Sequence, residues 1–135
     1  MTANASDHVP RVSPYLLYAD VDAAIDWLTR AFGLTERMRM PGPDGTGMHA
    51  EMELGDGLVL MGCPGPEYRN PKSLGAVTVL LFVTVDDVQA HYARAKAAGA
   101  EMVTELEDKP YGRTYAAKDR EGHQWHFAQN MGGTE

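Results

Sequence analysis

Cysteine is almost missing from this chain of 135 residues: Cys63 stands alone, which excludes an internal disulfide and any multi-cysteine zinc site. A reducing compartment, the cytoplasm, is the expected home, and the lone thiol in "MGCPGP" reads as structural. Long apolar runs are absent too. None approaches the roughly 18 residues that a spanning helix needs, and the opening "MTANASDHVPRV" has no basic stretch followed by an apolar one, so no membrane partner is expected. Basic residues are scarce, 12 Lys and Arg against 19 Asp and Glu, and the net charge of −7 repels phosphate backbones. Nucleic acid is not an expected partner. The acidic residues are dispersed, which fits a solvated surface rather than a recruiting tail. Also lacking are a phosphate-cradling glycine loop, a nucleophile elbow and a cysteine beside a plausible base.

What is present is one domain's worth of apolar residues, arranged as a repeat. "YLLYAD" has strand character, and "VDAAIDWLTRAFG" then turns to helical spacing through Ile25, Leu28 and Phe32, with Asp20 or Asp22 as cap and Gly33 as stop. "VTVLLFVTVDD" and "VQAHYARAKAAG" repeat the pattern, with Val88, Tyr92 and Ala95 as the stripe and Gly99 as the end. Asp20 and Gly33 are 13 residues apart, as are Asp86 and Gly99, and the two pairs are offset by 66. Three strand candidates follow each helix: "RMRM", "MHAEMEL" and "LVLM", then "EMVTEL", "RTYAAK" and "HQWHF". "GDG" at 55–57 reads as a hairpin turn. "PGPDGTG" reads as a turn-rich loop at a pocket mouth.

The expected organisation is a single α+β domain: a tail over 1–11, a first βαβββ module over 12–62, a linker over 63–75 and a second module over 76–130. The linker "CPGPEYRNPKSLG" carries three prolines and two glycines, a connector's composition. In such a module the helix covers one sheet face and the other must meet a second module, in the same chain or across a dimer. The expected result is a curved mixed sheet with the helices on its outer face and a concave, ligand-binding inner face.

Strand alternation sorts the candidate site residues. In "GHQWHF" it puts Gln124 and His126 on one face and Trp125 and Phe127 on the other, so His123 and His126 are not a metal-binding pair and His126 looks into the concavity. In "MHAEMEL" it groups His49, Glu51 and Glu53; they line the concavity or lie on a solvated face, and both readings stay open. Ser13, Tyr15 and Leu17 form the inward set of the first strand, where Tyr15 could stack a flat ligand. Trp27 and His91 read as packing or surface positions.

The stretches "PYLLYADVDAAIDWLTRAFG", "PDGTGMHAEMELGDGLVLMG", "FVTVDDVQAHYARAKAAGAE" and "YGRTYAAKDREGHQWHF" together resemble the glyoxalase/bleomycin-resistance/dioxygenase family, the vicinal oxygen chelate superfamily, from about Arg11 to Asn130. The resemblance implies that metal-using relatives carry ligands at four places, held here by Ser13, Met61, Val79 and His126. Valine has no donor and methionine is too soft for a hard divalent ion, so no metal and no cofactor is expected. The resemblance also implies that Tyr111 and Arg113 border the ligand cavity, with Arg113 able to clamp a carboxylate.

The expected function is that of the bleomycin-resistance branch: a homodimeric, metal-independent protein that sequesters an apolar or aromatic drug or natural product, and so confers antibiotic resistance. Its ligand would lie against Ser13, Tyr15, His49, Glu51, Met61, Tyr111, Arg113, Gln124 and His126. The alternative is a lyase, isomerase or dioxygenase of the same superfamily. It would use an atypical metal site, for which His49, Glu51 and His126 would have to converge, or be metal-free with His126 or Glu51 as general base.

Overall fold

The computed structural model describes residues 10–42 and 47–129. Most of the tail, and the centre of the "PGPDGTG" loop at 43–46, lie outside the described residues.

The first module runs β1 (Tyr15–Leu17), α1 (Val21–Phe32), β2 (Thr35–Pro41), β3 (Gly47–Leu54) and β4 (Gly57–Gly62). The second runs β5 (Leu80–Val85), α3 (Val88–Ala97), β6 (Glu101–Lys109), β7 (Gly112–Lys118) and β8 (Gln124–Gln129). The segment expected to be a plain connector contains a short helix, α2 (Pro71–Leu74), capped by Asn70. Each module folds its strands into a four-stranded mixed sheet, ordered β1-β4-β3-β2 and β5-β8-β7-β6. In both, the first strand runs parallel to the last and the remaining pairs are antiparallel. The architecture is α+β, two modules of one design.

Local signals explain the boundaries. Asp20 caps α1 by accepting from the Ala23 N–H, and Gly33 ends it at φ +78°, a left-handed conformation that costs glycine little. Asp87, rather than Asp86, caps α3 through the Ala90 N–H, and Gly99 follows that helix. Gly55 and Asp56 form the two-residue turn between β3 and β4, with Leu54 opposite Gly57.

The two helices differ in how they pack. α1 buries Val21, Ala24, Ile25, Trp27, Leu28, Ala31 and Phe32, a stripe at helical spacing, whereas α3 fully buries only Val88 and Ala95. Phe32 is the centre of the arrangement. Its ring lies 5.0 Å from Trp27, 5.4 Å from Trp125 and 4.9 Å from Phe127, so a helix of the first module packs directly on the last strand of the second. The modules therefore share one core within one chain.

Polar contacts reinforce that shared core, because α3 satisfies the carbonyls that end α1. Arg94 donates to Thr29 O and Arg30 O, both at 2.9 Å, and His91 Nε2 donates to Phe32 O at 2.8 Å. In the other direction, Trp27 Nε1 donates to Ala98 O at 3.0 Å. His91 is thus a packing residue: its Nδ1 lies 2.6 Å from the Tyr115 hydroxyl, and burial pushes its pKa below the ordinary histidine value.

A second junction forms where the β7–β8 turn meets the end of β1. The buried carboxylate of Asp119 accepts from Tyr18 Oη at 2.5 Å and Trp125 Nε1 at 3.0 Å, and from the backbone N–H groups of Glu121 and His123. Burial pushes the Asp119 carboxyl up from its ordinary value, against the opposing pull of these donors and of His123. Two residues on, Glu121 accepts from the N–H groups of Ala19 at 2.6 Å and Asp20 at 2.9 Å, and from Asn70 Nδ2. His123 Nε2 donates to Leu17 O at 2.7 Å, with its ring 4.7 Å from that of Tyr18.

Candidate functional site

Each sheet turns one face to the helices and leaves the other open, and alternation decides which residues lie where. On β1 and β4, Leu16 and its partner Met61 are buried in the core, while Tyr15 and its partner Leu60 lie on the open side. On β5 and β8, Leu81 and Val83 pack towards Trp125 and Phe127, which leaves Leu80 and Phe82 beside Gln124 and His126 on the open side.

The open face of the first sheet carries a connected polar cluster. Tyr15 Oη lies 3.0 Å from His49 Nδ1, and His49 Nε2 lies 3.6 Å from Glu51 Oε2. Arg37 Nε follows, 3.6 Å from Glu51 Oε1 and 3.9 Å from Glu53 Oε2. Partial burial raises the Tyr15 pKa, so its hydroxyl stays a neutral donor at ordinary pH. A Tyr15 hydroxyl donating to Nδ1 corresponds to the Nε2–H tautomer of His49, and the reverse direction to the Nδ1–H tautomer. This face can donate and accept hydrogen bonds.

The open face of the second sheet is more apolar. Leu80 is 55% exposed and Phe82 61%, large values for such side chains, and Phe82 lies 6.4 Å ring to ring from Tyr111 at the β6–β7 turn. The polar element is a pair, Gln124 Nε2 at 3.1 Å from His126 Nε2.

Two of the expected site residues lie elsewhere. Met61 is fully buried, because it pairs with Leu16 and shares that residue's core-facing parity, so it is not part of the open face. Arg113 shares the parity of buried Tyr115; it donates to Asp108 at 2.9 Å and lies 3.4 Å from Gln89 of α3. Its guanidinium is thereby turned to the helix side and engaged by Asp108, not aimed at an open-face ligand. Ser13 precedes β1, and its Oγ is buried with no hydrogen-bond partner among the described residues.

The four positions that the family resemblance assigns to metal ligands do not fit a metal. Met61 is sealed in the core, Val79 is exposed and has no donor atom, and His126 contributes one nitrogen, already against Gln124. His49 and Glu51 stand on the first sheet and His126 on the second. Among the described residues no group of three or more His, Cys, Asp or Glu side chains converges as a metal site.

Residues that sequence reasoning passed over include Phe82, Leu80 and Arg37. The first two were within reach: parallel pairing of β5 with β8, together with buried Trp125 and Phe127, fixes the parity of "LLFVTV". Arg37 gave no signal, because a register irregularity between Glu36 and Met38 breaks the alternation of β2.

The chain resembles several known proteins along nearly its whole length. It is 38% identical over 126 residues to an uncharacterized protein of Mycobacterium bovis, a match covering 89% of this chain and 83% of that one. The crystal structure of TioX from Micromonospora sp. ML1 superposes with a TM-score of 0.75 at 38% identity, covering 91% of this chain and all of that one (100%). TnmS3, an antibiotic-binding protein from Streptomyces sp. CB03234, shares the fold at a TM-score of 0.62 and 22% identity, covering 90% of this chain and 98% of that one. The model of the Glyoxalase/Bleomycin resistance protein/Dioxygenase superfamily matches residues 7–127, and the chain belongs to that superfamily.

Proposed function

We propose that the protein is a metal-independent small-molecule-binding protein, a homodimer that sequesters an apolar or aromatic ligand of the drug or natural-product kind. The observation that carries this reading is the pairing of exposed apolar surface with a few polar groups: Phe82, Leu80 and Tyr111 on one open face, Tyr15, His49 and Glu51 on the other. Such faces lose water when a second copy brings them together, and the gap between them then suits a flat molecule with one or two hydrogen-bonding groups. Membership of the superfamily supports the reading, as does a shared fold with an antibiotic-binding protein. The exposed thiol of Cys63 fits a reducing compartment, so we assign the protein to the cytoplasm.

The test is sedimentation of the purified protein combined with a thermal-shift screen of aromatic natural products. A dimer stabilised by a saturable hit, with the gain lost in Phe82→Asp and in Tyr15→Ala, is the expected result. A monomer that no compound stabilises overturns the reading. The Tyr15–His49–Glu51 line favours a second reading, a metal-free enzyme in which His49 moves a proton to or from a bound substrate. Catalytic turnover that is lost in His49→Gln but kept after exhaustive chelation would establish that reading in place of sequestration.

A further inference from the structure

Between β1, the start of β5 and α2 lies a cavity of about 260 Å3, set apart from the open-face clusters except at Tyr15 and Gln124 on its edge. Its walls are apolar: Leu17 from the first module, Leu81 from the second, and Pro71 and Leu74 from the linker helix. Its polar side chains are Tyr15, Arg69, Thr78, His123 and Gln124, and among the described residues no Asp or Glu lines it. That absence is informative in a chain with 19 acidic residues. Cavities of about 290, 440 and 460 Å3 elsewhere on the surface each include carboxylates, Glu121 in the first, Asp87 in the second and Glu101 in the third, whereas a neighbouring cavity of about 420 Å3 shares Leu17 and Arg69 with this cleft and likewise has no carboxylate among the described residues. The cleft thus combines apolar walls with a cation at its rim and no carboxylate among its described lining residues.

Arg69 sits at the rim and is exposed. It commits Nε to Ser73 Oγ at 3.2 Å and one terminal nitrogen to Ser73 O, which orients the guanidinium on its own turn and uses two of its five N–H donors. His123 closes the inner end by its bond to Leu17 O and so is not an open donor on that nitrogen. The volume is below the roughly 300–1,000 Å3 of sites for drug-sized molecules, so the occupant is about one ring in size.

From the apolar walls, the missing carboxylates and the cation at the mouth, we infer that this cleft binds a small aryl monocarboxylate. The ring sits between Leu17, Leu81 and Leu74, and the carboxylate faces Arg69. Placing the charge at the rim keeps it partly hydrated, which avoids the desolvation cost of burying an ion. A guanidinium matches the two carboxylate oxygens in geometry as well as charge.

Titration of 15N-labelled protein with benzoate, with uncharged benzamide and with acetate tests this. Benzoate is expected to shift the amide signals of Leu17, Leu74 and Leu81 saturably, and acetate to leave them in place. Arg69→Gln should weaken benzoate roughly tenfold while leaving benzamide unchanged, as befits loss of one charge-assisted contact. Arg69→Lys should restore part of the affinity, and Leu74→Trp, which fills the cleft from an exposed position, should abolish binding. Absence of saturable shifts with benzoate overturns the inference, as does equal affinity in Arg69→Gln. Shifts confined to His49 and His126 overturn it too, and place the ligand on the open faces instead, so the outcome for the cleft is separable from that for the proposed function.

Discussion

Replacing Phe32 by alanine tests whether the two modules form one cooperative unit. Phe32 is fully buried, and its ring touches Trp27 of its own helix, His91 of α3, and Trp125 and Phe127 of β8. Truncating a buried Phe costs about 3–5 kcal/mol from lost transfer free energy and the cavity left behind. Partners from its own helix and from two other elements of the fold cannot all collapse into one hole, and each aromatic pair adds roughly 0.5–1.5 kcal/mol beyond buried area. The expected loss is therefore near the top of the range, about 4–5 kcal/mol, a large part of the 5–15 kcal/mol that holds a typical domain folded. Urea unfolding followed by far-ultraviolet circular dichroism and by tryptophan fluorescence reads it, since Trp27 and Trp125 both contact the deleted ring. One transition, shifted to lower urea and coincident by both probes, is expected. A loss under about 1.5 kcal/mol, or two separated transitions, would refute the shared core and mean that each module holds itself together.

Other perturbations address the supports around that core. Burial holds His91 neutral, with its folded pKa below the unfolded value, so protons bind the unfolded chain first. Its contribution is complete above about pH 6.5 and is lost as pH falls below that; urea midpoints at a series of pH values should show the decline, and His91→Gln should flatten it. Tyr18→Phe removes the 2.5 Å donor to buried Asp119 and should cost about 1.5–3 kcal/mol by the same urea assay. Gly33→Ala places a Cβ at φ +78° and 3.0 Å from Arg94 Nη1, so a loss of about 1 kcal/mol or more is expected in thermal melts.

Much of this architecture was legible because the same signals occur twice. The spacing of Ile25, Leu28 and Phe32 and the Asp and Gly at either end mark α1, and an offset copy marks α3, so the βαβββ pattern needs no further information. Face assignments held where alternation ran unbroken, as at Trp125 and Phe127, which are buried beside half-exposed Gln124 and His126. Positions taken from resemblance alone carried no information about facing. Met61 occupies a ligand's place in the motif, yet its pairing with Leu16 sends the side chain into the core. Arg113 likewise lies beside a plausible cavity in sequence but turns to Asp108 and Gln89. Contacts between elements distant in sequence left no trace in any local pattern: nothing near Tyr18 announces Asp119, 101 residues away.

That contact also explains why the repeat is not symmetric. The turn between β3 and β4 is the minimal Gly55–Asp56 pair, whereas the corresponding turn between β7 and β8 runs from Asp119 to His123. A two-residue turn closes its own hairpin and reaches nothing else. The longer turn folds around the Asp119 carboxylate, which fixes the N–H groups of Glu121 and His123, and so holds Glu121 against the Ala19 and Asp20 amides and His123 against Leu17 O. Two identical modules would have no such arm. The added turn residues give the second copy a grip on the first strand of the first copy, at the point where β1 and the start of β5 flank the linker cleft. Divergence of one turn thus adds a polar tie between the two modules beside their shared core.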